Sequence, residues 1–378
     1  MIKIGFFSPY GLSGFSGVNA ALHKHLSGEG CQCDLISPPP PWRANLVKRI
    51  FYKATRQLNG LQYLWEKGVS RCRYYSRHID QSLADGNYDA VLITGTENCS
   101  FCKTNVPLYS YGDSFFGSRV DLYPDQVLAK IHPRSIHEGI HVQQLALHRL
   151  RRIYISFQWA VERAKKFYAY QGLEKIEAVG IGANLYQDTG IVKNTSDNEN
   201  LGLLWIGADW QRKGGDLAVE TAIALRNMGI QVKLNLVGAS HPVPDGTWIK
   251  HHGFLDPQNG EHRKRLFDIF FESSVLLLPT KADLGSLATL DAFALGCVPA
   301  ASPMGSIPEI IVNDVNGWLI APYSAHEWAK VIARNVRNSK TMKEMVERNQ
   351  LLFKTKWNWF NVCQKIRNGI REDIAMRK

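Results

Sequence analysis

The stretch LLWIGADWQRKGGD, residues 203–216, decides how this sequence is interpreted. Its first five residues are an apolar run of strand length, polar residues follow, and two adjacent glycines precede a segment of helical period at 216–228. A second strand-like run, VKLNLVG at 232–238, comes after that helix. A strand, a crossover helix and another strand of these lengths indicate parallel pairing with a right-handed connection.

The same alternation continues in both directions. Towards the C-terminus we predict an ordered segment at 249–255, helices at 258–272 and 286–296, and strands at 275–279 and 298–301. Towards the N-terminus we predict strands at 2–8, 90–94, 107–111 and 153–156, with a helix at 17–26 after the first strand. The pattern predicts an α/β protein with two doubly wound, Rossmann-like domains facing a central cleft, where ligands bind beyond the ends of the strands.

One polar segment predicts the domain limits. Residues 187–200 lack periodicity, so we predict a linker there, between an N-terminal domain at 1–186 and a C-terminal domain at 201–357. A last helix at 358–378 is expected to return to the first domain. No apolar run reaches the roughly 18 residues that cross a bilayer, and the first residues indicate a strand, not a signal peptide. We therefore expect a cytoplasmic protein.

Charge and cysteine content restrict the partners. The net charge of +11 calls for an anionic partner, which could be nucleic acid, a membrane surface or a phosphorylated substrate. Cys99 and Cys102 have the spacing of half a zinc knuckle, but no second pair follows. The seven cysteines are therefore expected to be free thiols, and no metal site is predicted.

The opening stretch also contains a candidate anion site. Arg212 and Lys213 stand between a strand that ends near Gly207 and a helix that starts after two glycines. Arginine offers a fork of donors, lysine a point charge, and glycine allows the backbone to approach, which suits a diphosphate. The alternative is a solvated turn with ordinary capping.

A second candidate is PTKADLGSLATLDA, residues 279–292. Asp283 follows a buried strand, and Asp291 lies eight residues later in the next helix. The backbone amides of Ser286 and Leu287 could hold an anion, while the two carboxylates accept hydrogen bonds from a sugar and a ribose. Alternatively, Asp283 is a helix cap and Asp291 a surface charge.

A third candidate is the glycine-rich turn after the first strand. Gly14, Ser16 and Gly17 leave space for a substrate beside bare backbone. A dinucleotide site is the alternative, but the Gly-x-Gly-x-x-Gly spacing is absent, and Asp34 is predicted to precede the second strand instead of closing it.

Residues 42–77 form a basic, aromatic stretch with helical apolar spacing. Its cations are Arg43, Lys48, Arg49, Lys53, Arg56, Lys67, Arg71, Arg73 and Arg77. Such a helix could lie on an anionic membrane surface or pack on the first domain with a solvated basic face. Nucleic acid is a third option, although no recognised binding module accompanies the charge.

This sequence resembles the donor-binding domain of retaining GT-B glycosyltransferases of family 4 over about 150 residues. The resemblance is carried by the stretches at 203–216 and 279–292 and by GCVPAASPMGSIPEIIVNDVNGWL at 296–319. The resemblance implies transfer of a hexose-type sugar from a nucleotide diphosphate sugar to a glycan or lipid-linked acceptor, as in polysaccharide or lipopolysaccharide biosynthesis. It implies that the first domain binds the acceptor and the second the donor. A front-face mechanism without a metal or other cofactor would follow.

The resemblance also implies residue roles. Arg212 and Lys213 would neutralise the diphosphate, Asp283 would lie by the donor sugar, and Asp291 would bind the ribose. The loop with Phe254 and Leu255 would hold the base through its backbone, and Asp113 would reach the sugar. Both acidic positions are usually glutamate, so this sequence is one methylene shorter at each.

Other functions fit the same architecture. A nucleotide-sugar epimerase or a sugar phosphorylase could use the same two domains, because fold does not settle function. A basic nucleic-acid-binding protein is the alternative from another class, although no nucleic-acid partner is expected.

Overall fold

The computed structural model describes residues 1–39, 60–84, 86–122, 130–169, 172–186, 200–243, 246–321 and 323–377. The chain divides into two compact units, of which the first comprises Met1–Ile181 and Trp359–Lys378 and the second Gly182–Asn358. The C-terminal helix therefore belongs to the first unit. The predicted linker, apart from Asn200, lies outside the described residues.

The first unit contains a parallel six-stranded sheet in the order β2-β1-β3-β4-β5-β6. Its strands are β1 Ile2–Phe7, β2 Cys31–Ile36, β3 Ala90–Thr94, β4 Leu108–Gly112, β5 Arg152–Ile155 and β6 Ile176–Ala178. Its helices are α1 Val18–Leu26, α2 Val69–Ser82, α3 Phe116–Leu122, α4 Pro133–Arg149, α5 Gln158–Ala164 and the C-terminal helix Trp359–Ala375. Helices cover a parallel sheet on both faces, which is why β3 is buried throughout and its sequence, AVLIT, shows no polar alternation.

The prediction for Asp34 was wrong. Asp34 lies inside β2, where buried Cys31 and Cys33 alternate with exposed Gln32. Its carboxylate is 3.6 Å from the Lys3 ammonium on the neighbouring strand. In a strand every second side chain faces the core, so polar residues can alternate with buried ones. The strand therefore begins at Cys31, before Asp34.

The basic stretch is described only from residue 60. Its last part begins α2, and Arg71 of that helix is 6% exposed. Lys67 pairs with Glu97, and the Arg73 guanidinium lies 5.0 Å from the Phe101 ring centroid. Residues 69–77 therefore belong to a helix that packs on the first unit, which is the second of the two predicted arrangements. Residues 42–59 lie outside the described part. No helix in the described ranges is both long and apolar enough to cross a membrane.

The second unit contains another parallel six-stranded sheet, in the order β12-β11-β10-β7-β8-β9. Its strands are β7 Leu201–Gly207, β8 Val232–Gly238, β9 Ile249–His251, β10 Val275–Leu278, β11 Val298–Ala301 and β12 Trp318–Leu319. Its helices are α6 Trp210–Lys213, α7 Gly215–Asn227, α8 Gly260–Glu272, α9 Leu287–Leu295, α10 Ile307–Ile310, α11 Ala325–Val336 and α12 Ser339–Thr355. Buried Trp205, Trp318 and Trp328 are large members of its core. The predicted class, α/β with two doubly wound domains, is confirmed.

The C-terminal helix is fixed to the first sheet through Asp373, which is 2% exposed. The Arg152 Nε donates to it at 2.9 Å and the Tyr109 hydroxyl at 3.1 Å. Burial alone would raise the pKa of Asp373, but the hydrogen bonds from Arg152 and Tyr109 outweigh it and lower that pKa below its usual value. The carboxylate is therefore a charged anchor between β4, β5 and the helix.

Replacing Asp373 with asparagine tests this anchor. Because a buried charge pair is broken, we expect the free energy of unfolding near neutral pH to fall by about 2–4 kcal/mol. The folded pKa is lowered, so the parent's advantage is present above the unfolded pKa of about 4 and is lost as the pH falls through the folded pKa. Denaturant unfolding at several pH values measures both effects.

Glu372→Gln is the matched control, since Glu372 pairs with the same Arg152 but its side chain is 57% exposed. We expect its cost to stay below about 1 kcal/mol. Equal losses in the two variants, or a loss in D373N that does not change with pH, would contradict the anchoring role of Asp373.

Candidate functional site

The strand order of the second sheet reverses between β7 and β10. These two strands pair in parallel, with Leu203 opposite Val275, and successive strands are added outward from them in both directions. The loops that follow β7 and β10 therefore leave the same edge of the sheet, side by side. Such a switch point is where open α/β sheets bind ligands.

The loop after β7 carries Arg212 and Lys213 on the short helix α6. The Asp209 carboxylate caps this helix by accepting from the Arg212 amide at 3.1 Å. The helix ends at Gly214, whose φ of +70° favours glycine. A β-carbon at Gly214 would lie 2.0 Å from the Pro279 carbonyl oxygen, so only glycine allows this turn to pass so close to the end of β10.

The structure brings Lys213 and Asp283 together. The Lys213 Nζ lies 2.6 Å from the Asp283 Oδ2, and the side chains are 18% and 7% exposed. Arg212 reaches the same loop, because its Nη1 donates to the Ala282 carbonyl at 2.9 Å. Three residues predicted from two separate motifs thus form one cluster at the switch point.

Sequence reasoning missed the residues that hold this cluster in place. The Lys281 amide donates to the Arg212 carbonyl at 2.8 Å, and the Thr280 hydroxyl donates to the Ala282 carbonyl at 2.9 Å. Lys281 also extends over the ring of Tyr323, with 5.1 Å between its Nζ and the ring centroid. Lys281 was visible inside the 279–292 stretch, but nothing in the sequence connects that stretch with Tyr323.

Groups at the start of α9 already make hydrogen bonds within the protein. The Leu287 amide donates to the Gly285 carbonyl at 3.1 Å, and the Thr289 hydroxyl donates to the Ser286 hydroxyl at 2.8 Å. Ser286 is 2% exposed. An anion that used the Leu287 amide would have to replace an existing hydrogen bond, so the role predicted for Ser286 and Leu287 stays a prediction.

Asp291 is buried in α9 and binds a distant part of the chain. Its Oδ1 accepts from the amides of Asn184 and Leu185, both at 2.8 Å. Arg263 binds the same segment, since its Nη1 donates to the Asn184 carbonyl at 3.1 Å. Burial raises the pKa of Asp291 to about 7, although the two amides and Arg263 oppose the increase. Its predicted contact with a ribose remains a prediction.

Gly207 and the loop after β9 lie at the same sheet edge. A β-carbon at Gly207 would lie 2.9 Å from the Lys213 β-carbon, so this glycine allows Lys213 to approach the strand end. The Gly253 carbonyl accepts from the Gly238 amide at 2.8 Å, which fixes the loop to the end of β8. Phe254 is 71% exposed and Leu255 is half-buried. Base binding by Phe254 and Leu255 remains a prediction.

In the first unit, the glycine-rich turn forms two short 3-10 turns, Gly11–Ser13 and Phe15–Gly17. Ser16 has a φ of +51°, a conformation that non-glycine residues rarely adopt. Asn19, 1% exposed, fixes the turn by donating to the Ser8 hydroxyl and the Gly11 carbonyl. Gly14 and Gly17 complete the turn, which leaves the sheet at the end of β1.

Asp113 lies directly after β4, at the same edge of the first sheet, and is half-buried. The Ser114 hydroxyl donates to its Oδ1 at 3.0 Å. Cys99 and Cys102 are buried free thiols. The described ranges contain no group of three or more His, Cys, Asp or Glu residues that could hold a metal ion. Metal independence stays a prediction.

Residues 187–351 match the family model described as "Glycosyl transferases group 1". A curated relative, D-inositol 3-phosphate glycosyltransferase from Mycobacterium avium (strain 104), is 23% identical over 186 residues, which cover 46% of this chain and 43% of the relative. The match thus spans less than half of that relative's length.

Two solved structures share the whole fold. Sucrose-phosphate synthase from Thermosynechococcus elongatus has a TM-score of 0.73 at 16% identity, with all of both chains covered. HepE from Anabaena, solved in complex with UDP and glucose, has a TM-score of 0.66 at 14% identity and covers 98% of this chain and 100% of its own. The fold of this chain is therefore GT-B.

Asp291→Asn separates charge from hydrogen bonding at this position. Asparagine keeps an oxygen for the amides of Asn184 and Leu185 but does not ionise. Because the folded pKa of Asp291 is raised to about 7, the parent loses stability as the pH rises from its unfolded pKa of about 4 through the folded value. We expect the free energy of unfolding of D291N, relative to the parent, to rise by about 2–4 kcal/mol between about pH 4 and about pH 8.

Denaturant unfolding of both proteins across that pH range measures the difference. A difference that stays constant with pH would contradict a raised pKa at Asp291.

Proposed function

We propose that this chain, in which residues 187–351 match the glycosyl transferases group 1 model, is a retaining glycosyltransferase. It moves a hexose-type sugar from a nucleotide diphosphate sugar to a glycan or lipid-linked acceptor. The observation that carries the proposal is the cluster of Arg212, Lys213 and Asp283 at the switch point of the second sheet. Two adjacent cations at this place suit a departing diphosphate.

The ion pair suggests how the donor binds: Lys213 exchanges the Asp283 carboxylate for the diphosphate. Asp283 balances the charge of Lys213, with 2.6 Å between Oδ2 and Nζ. A diphosphate carries more negative charge than one carboxylate, so it competes for the Lys213 ammonium and for the Arg212 guanidinium. The Asp283 carboxylate is then released to accept a hydrogen bond from a sugar hydroxyl, as carboxylates do with polyols.

The proposed reaction follows a front-face path. The bond between the sugar C1 and the phosphate oxygen breaks, and the acceptor oxygen bonds to C1 on the same face. The acceptor proton passes to an oxygen of the leaving phosphate. Arg212 and Lys213 stabilise the charge that grows on the diphosphate, which is the usual way that a site lowers such a barrier. In this proposal no metal ion is needed.

The remaining roles are extensions of the same proposal. Asp291 contacts the ribose, the loop with Phe254 and Leu255 holds the base, and Asp113 contacts the sugar. Ser286 and Leu287 contribute their amides, and the turn at Gly14 to Gly17 lies beside the substrate. Because HepE was solved with UDP and glucose, UDP-glucose is the first donor to test. A membrane contact through the basic stretch, without the buried Arg71, would serve a lipid-linked acceptor.

Lys213→Met tests the donor site directly. The variant keeps the aliphatic stem and removes the ammonium group, so we expect the affinity for UDP to fall about tenfold. Turnover of the donor should fall by a factor of about 100 or more, because charge stabilisation in the transition state is lost. Calorimetric titration with UDP and release of UDP from UDP-glucose measure the two quantities, with ADP and GDP and their sugars as the parallel series.

Two further variants are controls for this test. Lys233 is exposed on β8 opposite Gly202, at the other end of the sheet, so K233M removes the same charge without touching the cluster. Asp283→Asn should retain or strengthen UDP binding, since Lys213 loses its competing carboxylate, while turnover falls. Near-parent turnover in K213M, or an equal loss in K233M, would count against the donor site.

Metal independence and retention are tested by following hydrolysis or transfer of the donor sugar in the presence of the metal chelator EDTA. We expect product to form at an unchanged rate, with the anomeric configuration of the donor. Proton NMR of the first product, recorded before mutarotation, measures the configuration. Activity that EDTA abolishes and Mg²⁺ restores would refute metal independence, and an inverted anomer would refute retention.

A further inference from the structure

Arg71 is buried among aromatic rings in the first unit. It lies in the first turn of α2 and is 6% exposed. Its guanidinium carbon is 4.6 Å from the ring centroid of Trp65, 5.1 Å from that of Tyr75 and 5.4 Å from that of Tyr10. The Nη2 donates to the hydroxyls of Tyr10 at 3.0 Å and Tyr75 at 3.3 Å. The three rings therefore form a cage around a cation.

This cation has no acidic partner among the residues that the structure describes. Its Nε is buried and has no hydrogen-bond partner there either. Two other cations of the same unit have acidic partners: Lys67 pairs with Glu97, and the buried Arg367 pairs with Glu29 at 2.7 Å. Ring contacts and phenol hydrogen bonds only partly offset the cost of burying a charge. Within the described residues, Arg71 is thus a buried positive charge without a counter-ion.

The cage lies at the edge of the sheet where the functional loops begin. Tyr10 belongs to the turn that follows β1, and α2 packs beside the 3-10 turn Thr96–Cys99 that follows β3. Tyr10 is 57% exposed, so its ring is the wall of the cage that faces solvent. The Oδ1 of Asn19 in the next helix is also buried, and it has no partner within the described residues. An incoming ligand would meet Tyr10 first.

We propose that Arg71 is the counter-ion for a phosphate group on the acceptor. The inference rests on the proposed glycosyltransferase function and specifies its acceptor class. A guanidinium presents parallel N–H donors that match the oxygens of a phosphate, and the unused Nε gives Arg71 spare donor capacity. Movement of the half-exposed Tyr10 ring opens the cage without disturbing the core. The phosphate belongs either to a soluble sugar phosphate or to a lipid-linked acceptor.

The experiment measures phosphate binding by the full chain. Glucose 6-phosphate and inorganic phosphate are titrated as soluble probes, glucose is the uncharged control, and phosphatidylglycerol vesicles present the lipid source. Arg71→Met removes the charge and fills the cage. Arg73→Met removes an exposed charge from the same helix and is the matched control.

We expect R71M to weaken phosphate binding about tenfold to a hundredfold, while R73M stays within about twofold of the parent. Loss with the soluble probes identifies a sugar phosphate, and loss with vesicles alone identifies a lipid phosphate. Binding that is equal in the parent and R71M for every probe, or no phosphate binding by the parent, would overturn the proposal.

Thermal unfolding distinguishes a binding role from a structural one. If the role of Arg71 is to bind a ligand, then R71M measured without ligand should melt at the parent's temperature or above it. The reason is that the substitution removes a buried charge that has no counter-ion among the described residues. A structural Arg71 would instead make R71M melt lower with unchanged phosphate binding, which would refute the inference. If R71M does not fold, Arg71→Lys replaces it, and phosphate affinity equal to the parent's would refute the bidentate contact.

The same variants keep this inference separate from the proposed function. R71M should bind UDP as the parent does, because the proposed contacts with UDP itself all come from residues of the second unit. K213M should bind phosphate through Arg71 as the parent does. Failure of UDP binding in the parent would refute the donor site alone, whereas failure of phosphate binding would refute the role of Arg71 alone.

Discussion

The ion pair between Lys213 and Asp283 connects the loops of two strands that are neighbours in the sheet but about 70 residues apart in the chain. Its geometry depends on the parallel register of β7 and β10, which brings both loops to one edge. It also depends on Gly214, because any β-carbon there would collide with the Pro279 carbonyl. The sheet therefore determines which charges meet, and the loops only complete the approach.

Most of the fold could be predicted from the sequence because both sheets are parallel and covered by helices. Strands such as 232–238 and 298–301 are short apolar runs bounded by turns, and the structure has them with the same limits. Asp34 was misplaced because alternate burial in an edge strand resembles a polar turn when it is seen in one dimension. The limits of β2 depend on its register with β1 and on its burial pattern, not on its composition.

The candidate site was predicted less completely, for a related reason. Arg212, Lys213 and Asp283 carry local signals, namely charge and glycine at the end of a strand. The contacts of Asp291 with Asn184 and Leu185 join positions more than 100 residues apart, and no local pattern indicates them. Likewise, Arg71 was counted in a basic surface stretch, whereas three aromatic rings surround it.

The short side chain of aspartate keeps both carboxylates in contact with protein groups, but with different ones at the two positions. An aspartate at 283 keeps its carboxylate close to the backbone of its loop, so the long Lys213 side chain reaches towards it, and the pair is held where the strands end. Asp291 is equally short and is buried, so its Oδ1 meets backbone amides at 2.8 Å instead of solvent. A glutamate at either position would carry its charge one methylene further from the helix or loop. The shorter residues thus tie both carboxylates to the protein itself, and a donor that bound as proposed would compete with those contacts.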